Sequence, residues 1–333
     1  MKNYKLAIVG ATGVVGQMVL KVLEEKNLPI SEYVLFASSK SAGKTVTFMN
    51  KEYTIQELTE HSFDEHIDFA IFSAGGDTAK KYAPIAAEKG CIVIDNSNAF
   101  RMDNDVPLIV PEVNLNEISK HHNIIANPNC STIQAMVALK PLDDKYSIKR
   151  IVYSTYQAVS GAGSKGIHDL ENGINNYITN EKYKLEKFYY PIFNNCIPHI
   201  DTFLENGYTK EEQKMINETR KILKNPDLKI TATTVRVPVF NSHSESINIE
   251  FEKDFDLNEL KQTLKRSPSV KIMDDISNNI YPLATNATDS DEVLVGRIRR
   301  DYSVISGINL WVVADNIRKG AASNAVQILE HLI

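Results

Sequence analysis

One cysteine of this sequence stands where a helix start would make it reactive. Cys130 follows the polar stretch Asn127-Pro128-Asn129 and precedes apolar residues at helical spacing, which are Ile133, Met136, Val137 and Leu139. The amide groups and the dipole at a helix N-terminus stabilise a thiolate and can also hold a developing oxyanion. A lone cysteine is more often a buried core residue than a nucleophile, but two asparagines and a proline are not the usual neighbours of a core cysteine. The pattern predicts an amphipathic helix with a nucleophilic Cys130 at its start.

The other two cysteines carry no such signal. Cys91 opens the apolar run 91–94, which is typical of a core strand, and Cys196 has no functional pattern around it. Three cysteines at wide spacing make neither a disulfide framework nor a metal cluster. We therefore expect reduced thiols, a reducing compartment and no metal ion.

A glycine-rich turn follows the first apolar run. Gly10, Gly13 and Gly16 come directly after residues 6–9 and before a helical pattern. Glycines allow a tight turn and a close approach of the backbone to a pyrophosphate, and the helix N-terminus adds N–H groups. The spacing is G-x-x-G-x-x-G and not the commoner G-x-G-x-x-G, so an ordinary strand-to-helix turn is the alternative. We interpret the turn as a dinucleotide-binding loop.

The residues after the second predicted strand indicate which dinucleotide this loop binds. NAD sites usually carry an acid there, which binds the ribose 2′-hydroxyl. Here the apolar run 34–37 is followed by Ser38-Ser39-Lys40-Ser41-Ala42-Gly43-Lys44. Hydroxyl groups and a lysine suit a 2′-phosphate, while a plain serine-rich surface turn is the alternative. The balance favours NADP.

Two regions of different character must position these residues. Up to about residue 145, short apolar strands such as 69–72 and 92–94 alternate with helical patterns, which predicts a doubly wound parallel sheet. Beyond it, an antiparallel sheet covered by helices on one face is predicted from longer strand-like stretches at 149–160, 230–239, 245–252, 293–299 and 304–313. The polar stretch 172–196 is the expected irregular insertion. Residues 316–333 are helical again, and we expect them to return to the first region.

Composition excludes several classes of protein. The chain has 333 residues, more than one hydrophobic core usually organises, so two domains are expected. A net charge of −5 argues against nucleic acid or an anionic membrane as the main partner. No apolar run reaches the roughly 18 residues of a membrane span, and residues 1–5 show no signal-peptide layout. We expect a cytoplasmic protein.

Taken together, the motifs resemble one known family. The sequence is similar to the aspartate-semialdehyde dehydrogenase family over nearly its whole length and in family order. The resemblance is carried by residues 10–16, 38–43, 95–101, 110–114, 127–132, 157–163, 236–239 with His243, and 311–320. Two positions depart from the family pattern, because Asn98 stands where a serine is common and Phe240-Asn241-Ser242 precedes the histidine. Neither departure removes a chemical group that the mechanism needs.

The resemblance implies a role for each matching residue. Cys130 would form a thioester, His243 would act as acid and base, and Gln157 would orient the acyl group. The substrate would be bound by Asn129, by Arg101 and Lys214 at its phosphate, and by Glu211 and Arg236 at its amino-acid end. NADP would be contacted by Gly10, Thr12, Gly13, Val14, Val15, Ser38, Ser39, Ser41, Ser73, Gly75, Ser160, Gly161 and Asn316.

The residues themselves support part of these roles. The period-two pattern of residues 234–239 predicts that the valines take one strand face and Arg236 the other, away from the core. An exposed sheet arginine is the alternative. Arg101 follows a strand that ends at Asp95, so we expect it near the cofactor's edge of the sheet. A lone histidine is usually a surface or core residue, so the role of His243 depends on the resemblance.

A helix is predicted to begin after Thr209. Thr209 and Glu212 have the spacing of a capping box. Glu211 and Lys214 lie three positions apart and are therefore neighbours on one side of this helix. A solvated ion pair between them is the alternative to substrate binding.

The resemblance implies a reversible, NADPH-dependent reduction of L-aspartyl 4-phosphate to L-aspartate 4-semialdehyde and phosphate, in the biosynthesis of lysine, threonine and methionine. It also implies an α/β fold with an N-terminal Rossmann-like doubly wound sheet and an α+β catalytic and dimerisation domain. The expected boundaries are residues 1–130 with 316–333 for NADP binding and 131–315 for catalysis and homodimer formation, with the C-terminal helix returning to the first domain.

Two alternatives stay open at this point. A reductase of the N-acetylglutamyl-phosphate type shares the fold and a cysteine, but it would have no partner for an amino group such as Glu211. A non-catalytic NADP-binding paralogue would be expected to lack Cys130 or His243, and both are present.

Overall fold

The chain divides into two compact units. The computed structural model describes residues 4–333; the first unit comprises the residues up to Asn129 together with Ala321–Ile333, and the second comprises Cys130–Gly320. The prediction that residues 1–5 show no signal-peptide layout includes residues 1–3, which lie outside the described residues. Within residues 4–333, no helix is long and apolar enough to cross a membrane.

The first unit contains eight strands in the described chain up to Asn129. They are β1 (Tyr4–Val9), β2 (Ile30–Ala37), β3 (Thr45–Phe48), β4 (Lys51–Thr54), β5 (Gln56–Glu57), β6 (Phe69–Phe72), β7 (Ile92–Asp95) and β8 (Ile124–Ala126). The helices in this part are α1 (Val14–Lys26), α2 (Gly76–Glu88) and α3 (Pro111–Asn114), followed by a 3-10 helix at Leu115–Lys120.

Six of these strands form one parallel sheet in the order β5-β2-β1-β6-β7-β8. β1 has β2 on one side and β6 on the other, so the strand order reverses at β1 and a binding crevice is expected at the carboxyl ends there. Leu6, Ala7, Ile8 and Val9 of β1 are fully buried, as parallel strands covered on both faces are. The predicted doubly wound sheet is confirmed.

The second unit begins with a helix and alternates helices with long strands. Its elements are α4 (Cys130–Tyr146), β9 (Ile148–Gln157), α5 (Ser164–Thr179), α6 (Lys210–Leu223), β10 (Lys229–Arg236), β11 (His243–Phe251), α7 (Leu257–Lys265), β12 (Val270–Ile272), α8 (Ala284–Ala287), β13 (Val293–Asp301) and β14 (Gly307–Ala314). Shorter 3-10 helices lie at Val159–Ala162 and Ile276–Asn278.

The sheet of the second unit is mixed, with the order β10-β9-β11-β14-β13-β12. The prediction of an antiparallel sheet is wrong at its two edges, where β10 runs parallel to β9 and β12 runs parallel to β13. The β9–β10 connection contains α5 and α6, and a long crossover of this kind is what a parallel pair requires.

Helix α4 is the central helix of the second unit. It contacts the sheet strands β9, β11, β13 and β14 and also the helices α6 and α7. Because it is covered by both, residues 131–139 are buried without interruption. The prediction of an amphipathic helix is therefore wrong, since a helix with this pattern of burial is a core helix.

The irregular segment of the second unit comprises residues 180–209. It starts later than predicted, because α5 continues to Thr179 and ends at Asn180 in a left-handed conformation. The fully buried carboxylate of Asp169 on α5 accepts hydrogen bonds from the backbone N–H groups of Glu186, Lys187 and Phe188, at 2.7, 2.9 and 3.0 Å. This carboxylate anchors the irregular segment to α5.

The C-terminal segment completes the first unit, as predicted. After a π-helix at Arg318–Ser323, helix α9 (Asn324–Glu330) contacts α1, α3 and β7. Its buried residues, among them Ala325 and Leu329, join the same core cluster as Leu6 and Ile8 of β1.

Candidate active site

A cavity of about 520 Å³ opens in the first unit at the carboxyl ends of β1, β2 and β6. It is lined by Val9, Gly10, Thr12, Gly13, Ala37, Ser38, Ser39, Glu57, Leu58, Ser73, Ala74, Thr78 and Tyr82. Six of the implied cofactor residues are therefore together in one cavity. Ser41 adjoins them through a contact of 3.5 Å between its Oγ and Thr12 Oγ1, whereas Val14 and Val15 begin α1 and Gly75 precedes α2.

The glycine turn fits a dinucleotide. A Cβ atom on Gly10, whose φ is +87°, would lie 2.7 Å from the Ser73 carbonyl oxygen, and one on Gly16 would lie 2.1 Å from the Gly10 carbonyl oxygen. Strand, turn and helix thus approach one another more closely than any side chain would allow. Gly13 precedes α1 without a side-chain cap, so the first N–H groups of the helix suit a pyrophosphate.

Glu57 is a lining residue that the sequence does not reveal. It lies on β5, which pairs with the end of β2 so that Glu57 stands beside Ala37. No acidic residue follows directly after β2 in the sequence. Glu57 reaches the cavity by strand pairing and not by sequence proximity. The cavity therefore presents one carboxylate beside the hydroxyl groups of Ser38 and Ser39.

In the second unit, the ends of three neighbouring strands bring Arg236, Gln157 and His243, which all have predicted site roles, into one row. β10 and β9 pair Arg236 with Gln157, and the pairing of Ser244 with Tyr156 puts His243 beside Gln157. Arg236 is 5% exposed, so the prediction that it points away from the core is wrong. The row lies on the face of the sheet that the helices cover, and the half-buried Val235 occupies the opposite face.

Arg236 is held at the end of its strand. Its Nη1 atom donates to the Ala158 carbonyl oxygen at 2.6 Å. Burial lowers the pKa of Arg236, and the negative charges of Glu211 and of a Cys130 thiolate act in the opposite direction. The same proximity means that the Arg236 charge favours the thiolate form of Cys130.

His243 is held in one orientation and one tautomer. The Ala158 N–H donates to His243 Nδ1 at 3.0 Å, so the proton of the neutral ring is on Nε2. The ring is fully buried, and Nε2 has no hydrogen-bond partner among the described residues. Burial, and then the Arg236 charge, hold the pKa of His243 well below its usual range. At neutral pH the ring therefore presents an Nε2–H donor.

Gly161 lies directly against these groups. A Cβ atom on Gly161 would be 3.0 Å from Arg236 Nη1 and 3.1 Å from His243 Cε1. A side chain at position 161 would therefore crowd both the guanidinium and the imidazole.

A chain of polar contacts connects the row to helix α6. Gln157 Nε2 donates to Ser131 Oγ at 3.1 Å and to Glu211 Oε1 at 3.3 Å. Lys214 Nζ then lies 3.2 Å from Glu211 Oε2 and 2.7 Å from Asp201 Oδ2. The expected neighbourhood of Glu211 and Lys214 is present, and Asp201, from the irregular segment 180–209, is an additional partner that the sequence does not reveal.

Helix α6 is fixed at its start. The predicted capping box is confirmed, because Thr209 Oγ1 accepts from Glu212 N at 3.2 Å and Thr209 N donates to Glu212 Oε2 at 2.7 Å. Glu212 Oε1 also accepts from the backbone N–H of Thr234 at 3.1 Å. Glu212 thus joins α6 to the strand that carries Arg236 and keeps Glu211 opposite Gln157.

A second cavity, of about 620 Å³, lies between the irregular segment and Arg236. Arg236 lines it together with Ala162, Lys187, Phe188, Tyr189, Tyr190, Asn195, Cys196, Ile197, Pro198, His199, Ile200, Asp201, Thr202 and Phe203. Tyr189, His199 and Phe203 stack on one another along its wall, with ring centroids 5.6 and 4.2 Å apart.

The remaining predicted residues lie in separate contexts. Arg101 belongs to the first unit, where Nε donates to the Asn127 carbonyl and Nη2 to the Asn96 carbonyl, both at 2.8 Å, after the carboxyl ends of β8 and β7. Asn129 is buried at the end of the same unit. In the second unit, Asn316 Nδ2 donates to Ser160 Oγ at 3.1 Å.

Comparisons with known proteins identify the family. A family model described as semialdehyde dehydrogenase, NAD binding domain, matches residues 5–121, and one described as semialdehyde dehydrogenase, dimerisation domain, matches residues 139–319. The aspartate-semialdehyde dehydrogenase of Aquifex aeolicus is 55% identical over 99% of this chain and 98% of its own length. That of Campylobacter jejuni is 49% identical over 99% and 97%. The chain belongs to the aspartate-semialdehyde dehydrogenase family.

Solved structures agree with this membership. A crystal structure of aspartate semialdehyde dehydrogenase II complexed with ASA from Vibrio cholerae is 46% identical, covers 100% of this chain and 98% of its own, and has a TM-score of 0.96. A structure of aspartate semialdehyde dehydrogenase with NADP from Candida albicans is 26% identical, covers 99% and 98%, and has a TM-score of 0.78.

In this member of the family, the three cysteines occupy different environments. Cys91 is 1% exposed, and burial raises its pKa to about 12, so its expected core position is confirmed. Cys196 is exposed, and Cys130 is partly exposed as the first residue of α4. Gly320 packs on Cys130, since a Cβ atom there would lie 2.9 Å from Cys130 Cβ.

We expect Gly320→Ala to displace Cys130 and to lower kcat by about tenfold to a hundredfold, because a misplacement near 1 Å can cost a rate factor of that size. The measurement is steady-state kinetics together with the alkylation rate of Cys130. Gly90→Ala is the control for lost stability alone, since the φ of +86° at Gly90 strains an alanine while the space beside it is open. Equal losses in both variants would mean that stability, and not the position of Cys130, limits the rate.

Proposed function

We propose that this chain is a phosphorylating, NADP-dependent aldehyde dehydrogenase that reversibly reduces L-aspartyl 4-phosphate to L-aspartate 4-semialdehyde and phosphate. The observation that carries the proposal is the Cys130 helix start packed on the sheet that holds the row of Arg236, Gln157 and His243. The enzyme works in the cytoplasm as a homodimer and serves the biosynthesis of lysine, threonine and methionine. The first unit is assigned to NADP binding, and the second unit, which begins at Cys130, is assigned to catalysis and dimer contacts.

The first step is transfer of the acyl group to Cys130. The sulfur attacks the acyl carbon of the aspartyl phosphate, the bond from that carbon to the phosphate oxygen breaks, and phosphate leaves with the proton of the thiol. The start of α4 and the Arg236 charge stabilise the developing thiolate. Gln157, fixed between Ser131 and Glu211, orients the acyl group.

The second step releases the aldehyde. NADPH, held by Gly10, Ser38 and the other lining residues of the first-unit cavity, would supply the hydride that reduces the thioester carbonyl carbon. His243 stabilises the oxygen of the resulting tetrahedral adduct by donating a hydrogen bond from its Nε2–H, which is the acid side of the role that the resemblance implies. The carbon–sulfur bond of the adduct then breaks, so the aldehyde leaves and the Cys130 thiolate is restored.

Two pockets bind the charged ends of the substrate. Arg236 and Glu211, which carry opposite charges on neighbouring elements, hold the carboxylate and the amino group of the amino-acid end. Arg101 of the first unit and Lys214 of the second are each assigned to phosphate. Because Lys214 is already paired with Glu211 and Asp201, only part of its charge serves the phosphate.

The deciding experiment measures NADPH formation from aspartate semialdehyde with and without inorganic phosphate. We expect a rate that requires phosphate and that is far higher than the rate with N-acetylglutamate semialdehyde, because the acetylated amino group cannot pair with Glu211. A preference for the acetylated aldehyde would overturn the substrate assignment, and no turnover of either would support the non-catalytic alternative.

Cofactor preference gives a separate prediction. We expect a preference of at least about tenfold for NADP over NAD, which is about 1.4 kcal/mol of differential binding. Ser39→Asp should reduce this preference by repelling the 2′-phosphate. Glu57→Gln should increase it, because it removes the one carboxylate among the lining residues of the first-unit cavity. Equal catalytic efficiency of the unchanged protein with both cofactors would contradict the assignment.

A further inference from the structure

A buried carboxyl group beneath the site has no part in the chemistry proposed above. Glu245 lies on β11 two residues after His243, so both side chains face the same side of the sheet. It is fully buried, and neither carboxyl oxygen has a hydrogen bond of normal geometry among the described residues. Glu245 stands beside Thr155 of β9 and Val312 of β14. It therefore lies on the same face of the sheet as His243, two residues further from the strand end.

The surroundings of Glu245 do not favour a negative charge. The first turn of α4 presents the uncharged Ser131 and Gln134, and α6 presents the acidic Glu211. The titratable groups that face it from the sheet are Tyr153 of β9 and the neutral His243 of its own strand. Burial raises the pKa of Glu245 well above its usual range; hydrogen bonding by Ser131 and Gln134 opposes this only in part, and the Glu211 charge adds to the rise. An ionised carboxylate buried in this way without a cation is strongly disfavoured.

The neighbouring hydrogen bonds match an uncharged acid. Gln157 Nε2 donates to Ser131 Oγ, and the Ser131 hydroxyl faces Glu245. Gln134 Nε2 donates to the His243 carbonyl oxygen at 3.4 Å, while Gln134 Oε1 has no partner among the described residues. A protonated Glu245 accepts from Ser131 with one oxygen and donates its O–H to Gln134 with the other. A carboxylate has no hydrogen to donate to Gln134.

We propose that Glu245 is a positioning residue that works as an uncharged carboxylic acid, joining Ser131 and Gln134 of the Cys130 helix to the strand of His243. Through Ser131 it orients the amide of Gln157, and through Gln134 it fixes the backbone at His243. Glu245 touches no reacting atom. The kinetic part of its test rests on the proposed function, whereas the spectroscopic part does not.

The kinetic test compares three variants of the full-length enzyme. Glu245→Gln supplies an acceptor and an N–H donor in the same places, so kcat should stay within about threefold of the unchanged enzyme, as for other isosteric exchanges of a satisfied group. Glu245→Ala leaves Gln134 and Ser131 without their partner, and kcat should fall by at least about tenfold with little change in KM. Glu250→Gln is the matched control on the same strand, where Glu250 pairs with Lys149 near the surface.

Two outcomes of the kinetic test would overturn the proposal. If Glu245→Gln is as slow as Glu245→Ala, the carboxylate charge itself is required. If Glu245→Ala is as fast as the unchanged enzyme, the residue positions nothing. The alkylation rate of Cys130, measured on the same variants, gives the effect on the helix start without any substrate.

Infrared spectroscopy tests the protonation state directly and independently of turnover. At neutral pH the unchanged protein and Glu250→Gln should show the carbonyl stretch of a buried, protonated carboxylic acid, and Glu245→Gln should lack it. The absence of this band from the unchanged protein would overturn the proposal. If the band is present but no acyl phosphate is turned over, the proposed function fails and the assignment of Glu245 stands.

Stability against pH supplies a check for variants that fold poorly. The raised pKa means that the native protein keeps a proton that the unfolded chain releases above its ordinary value of 4.5. Rising pH therefore favours unfolding of the unchanged protein, by up to about tenfold in the unfolding equilibrium per pH unit until Glu245 ionises in the native state. Glu245→Gln should remove this dependence and Glu250→Gln should keep it. A pH dependence identical in all three would contradict the proposal.

Discussion

Cys130→Ala should abolish turnover in both directions, because the Cys130 thiol is the group that the proposed mechanism acylates. Cys91 is excluded by its burial and its pKa of about 12. Cys196 is the serious rival, since it is exposed and lines the same cavity as Arg236. The start of α4 distinguishes the two thiols, because Cys130 has the helix dipole and the Arg236 charge to stabilise its thiolate.

Mass spectrometry after a limited exposure to iodoacetamide measures this difference. Cys130 should be alkylated before Cys196 and Cys91, and the acyl substrate should protect it. Cys196→Ser is the matched control and should keep full activity and the same alkylation rate at Cys130. If Cys196 is modified first and the loss of activity follows that modification, the nucleophile has been assigned to the wrong residue.

The sequence predicts those parts of the site that depend on neighbouring residues in the chain. The glycine turn after β1, the position of Cys130 at a helix start and the capping box of α6 are all local features, in which a few consecutive residues determine the backbone. The parts that it does not predict come from pairing between distant segments. Glu57 reaches the first cavity through the pairing of β5 with β2, and Asp201 reaches Lys214 from the irregular segment.

Burial is the other property that local patterns predict poorly here. Arg236 alternates with valines, and a polar residue in such a pattern is expected on the solvent side. In this protein the inner face of the second sheet carries the polar row, and helices α4 and α6 cover it. The same arrangement buries residues 131–139 of α4 on all sides, so its polar residues Ser131 and Gln134 face the site and not solvent. A functional site inside a core therefore inverts the usual pattern of hydrophobic and polar residues.

His243→Ala should retain cofactor binding and acylation of Cys130 but lose a factor on the order of 10²–10⁴ in kcat, the usual range for a positioned acid or base. His243→Gln is the informative comparison, because its amide can accept from the Ala158 N–H and donate an N–H where Nε2 stands. It should be faster than His243→Ala by the factor that the hydrogen bond from this position contributes, and any remaining loss against the unchanged enzyme measures what the imidazole adds beyond that hydrogen bond. The double variant with Cys130→Ala should be no slower than Cys130→Ala alone.

The pH dependence of this histidine follows from its hydrogen bond. Protonation would put a hydrogen on Nδ1 facing the Ala158 N–H, and burial and the Arg236 charge already hold the pKa of His243 well below 6.5. The kcat/KM profile should therefore show no titration of His243 near pH 6.5. The free energy of unfolding should fall as the pH drops below 6.5, because the unfolded chain then binds a proton that the native ring does not. The slope reaches about 1.4 kcal/mol per pH unit until the native ring titrates, and His243→Gln should lack it. Two results together would contradict this: kcat/KM shows a His243-dependent inflection near pH 6.5, and the stability of the unchanged protein and of His243→Gln depends on pH in the same way. They would show that the ring is exposed and is not held by Ala158.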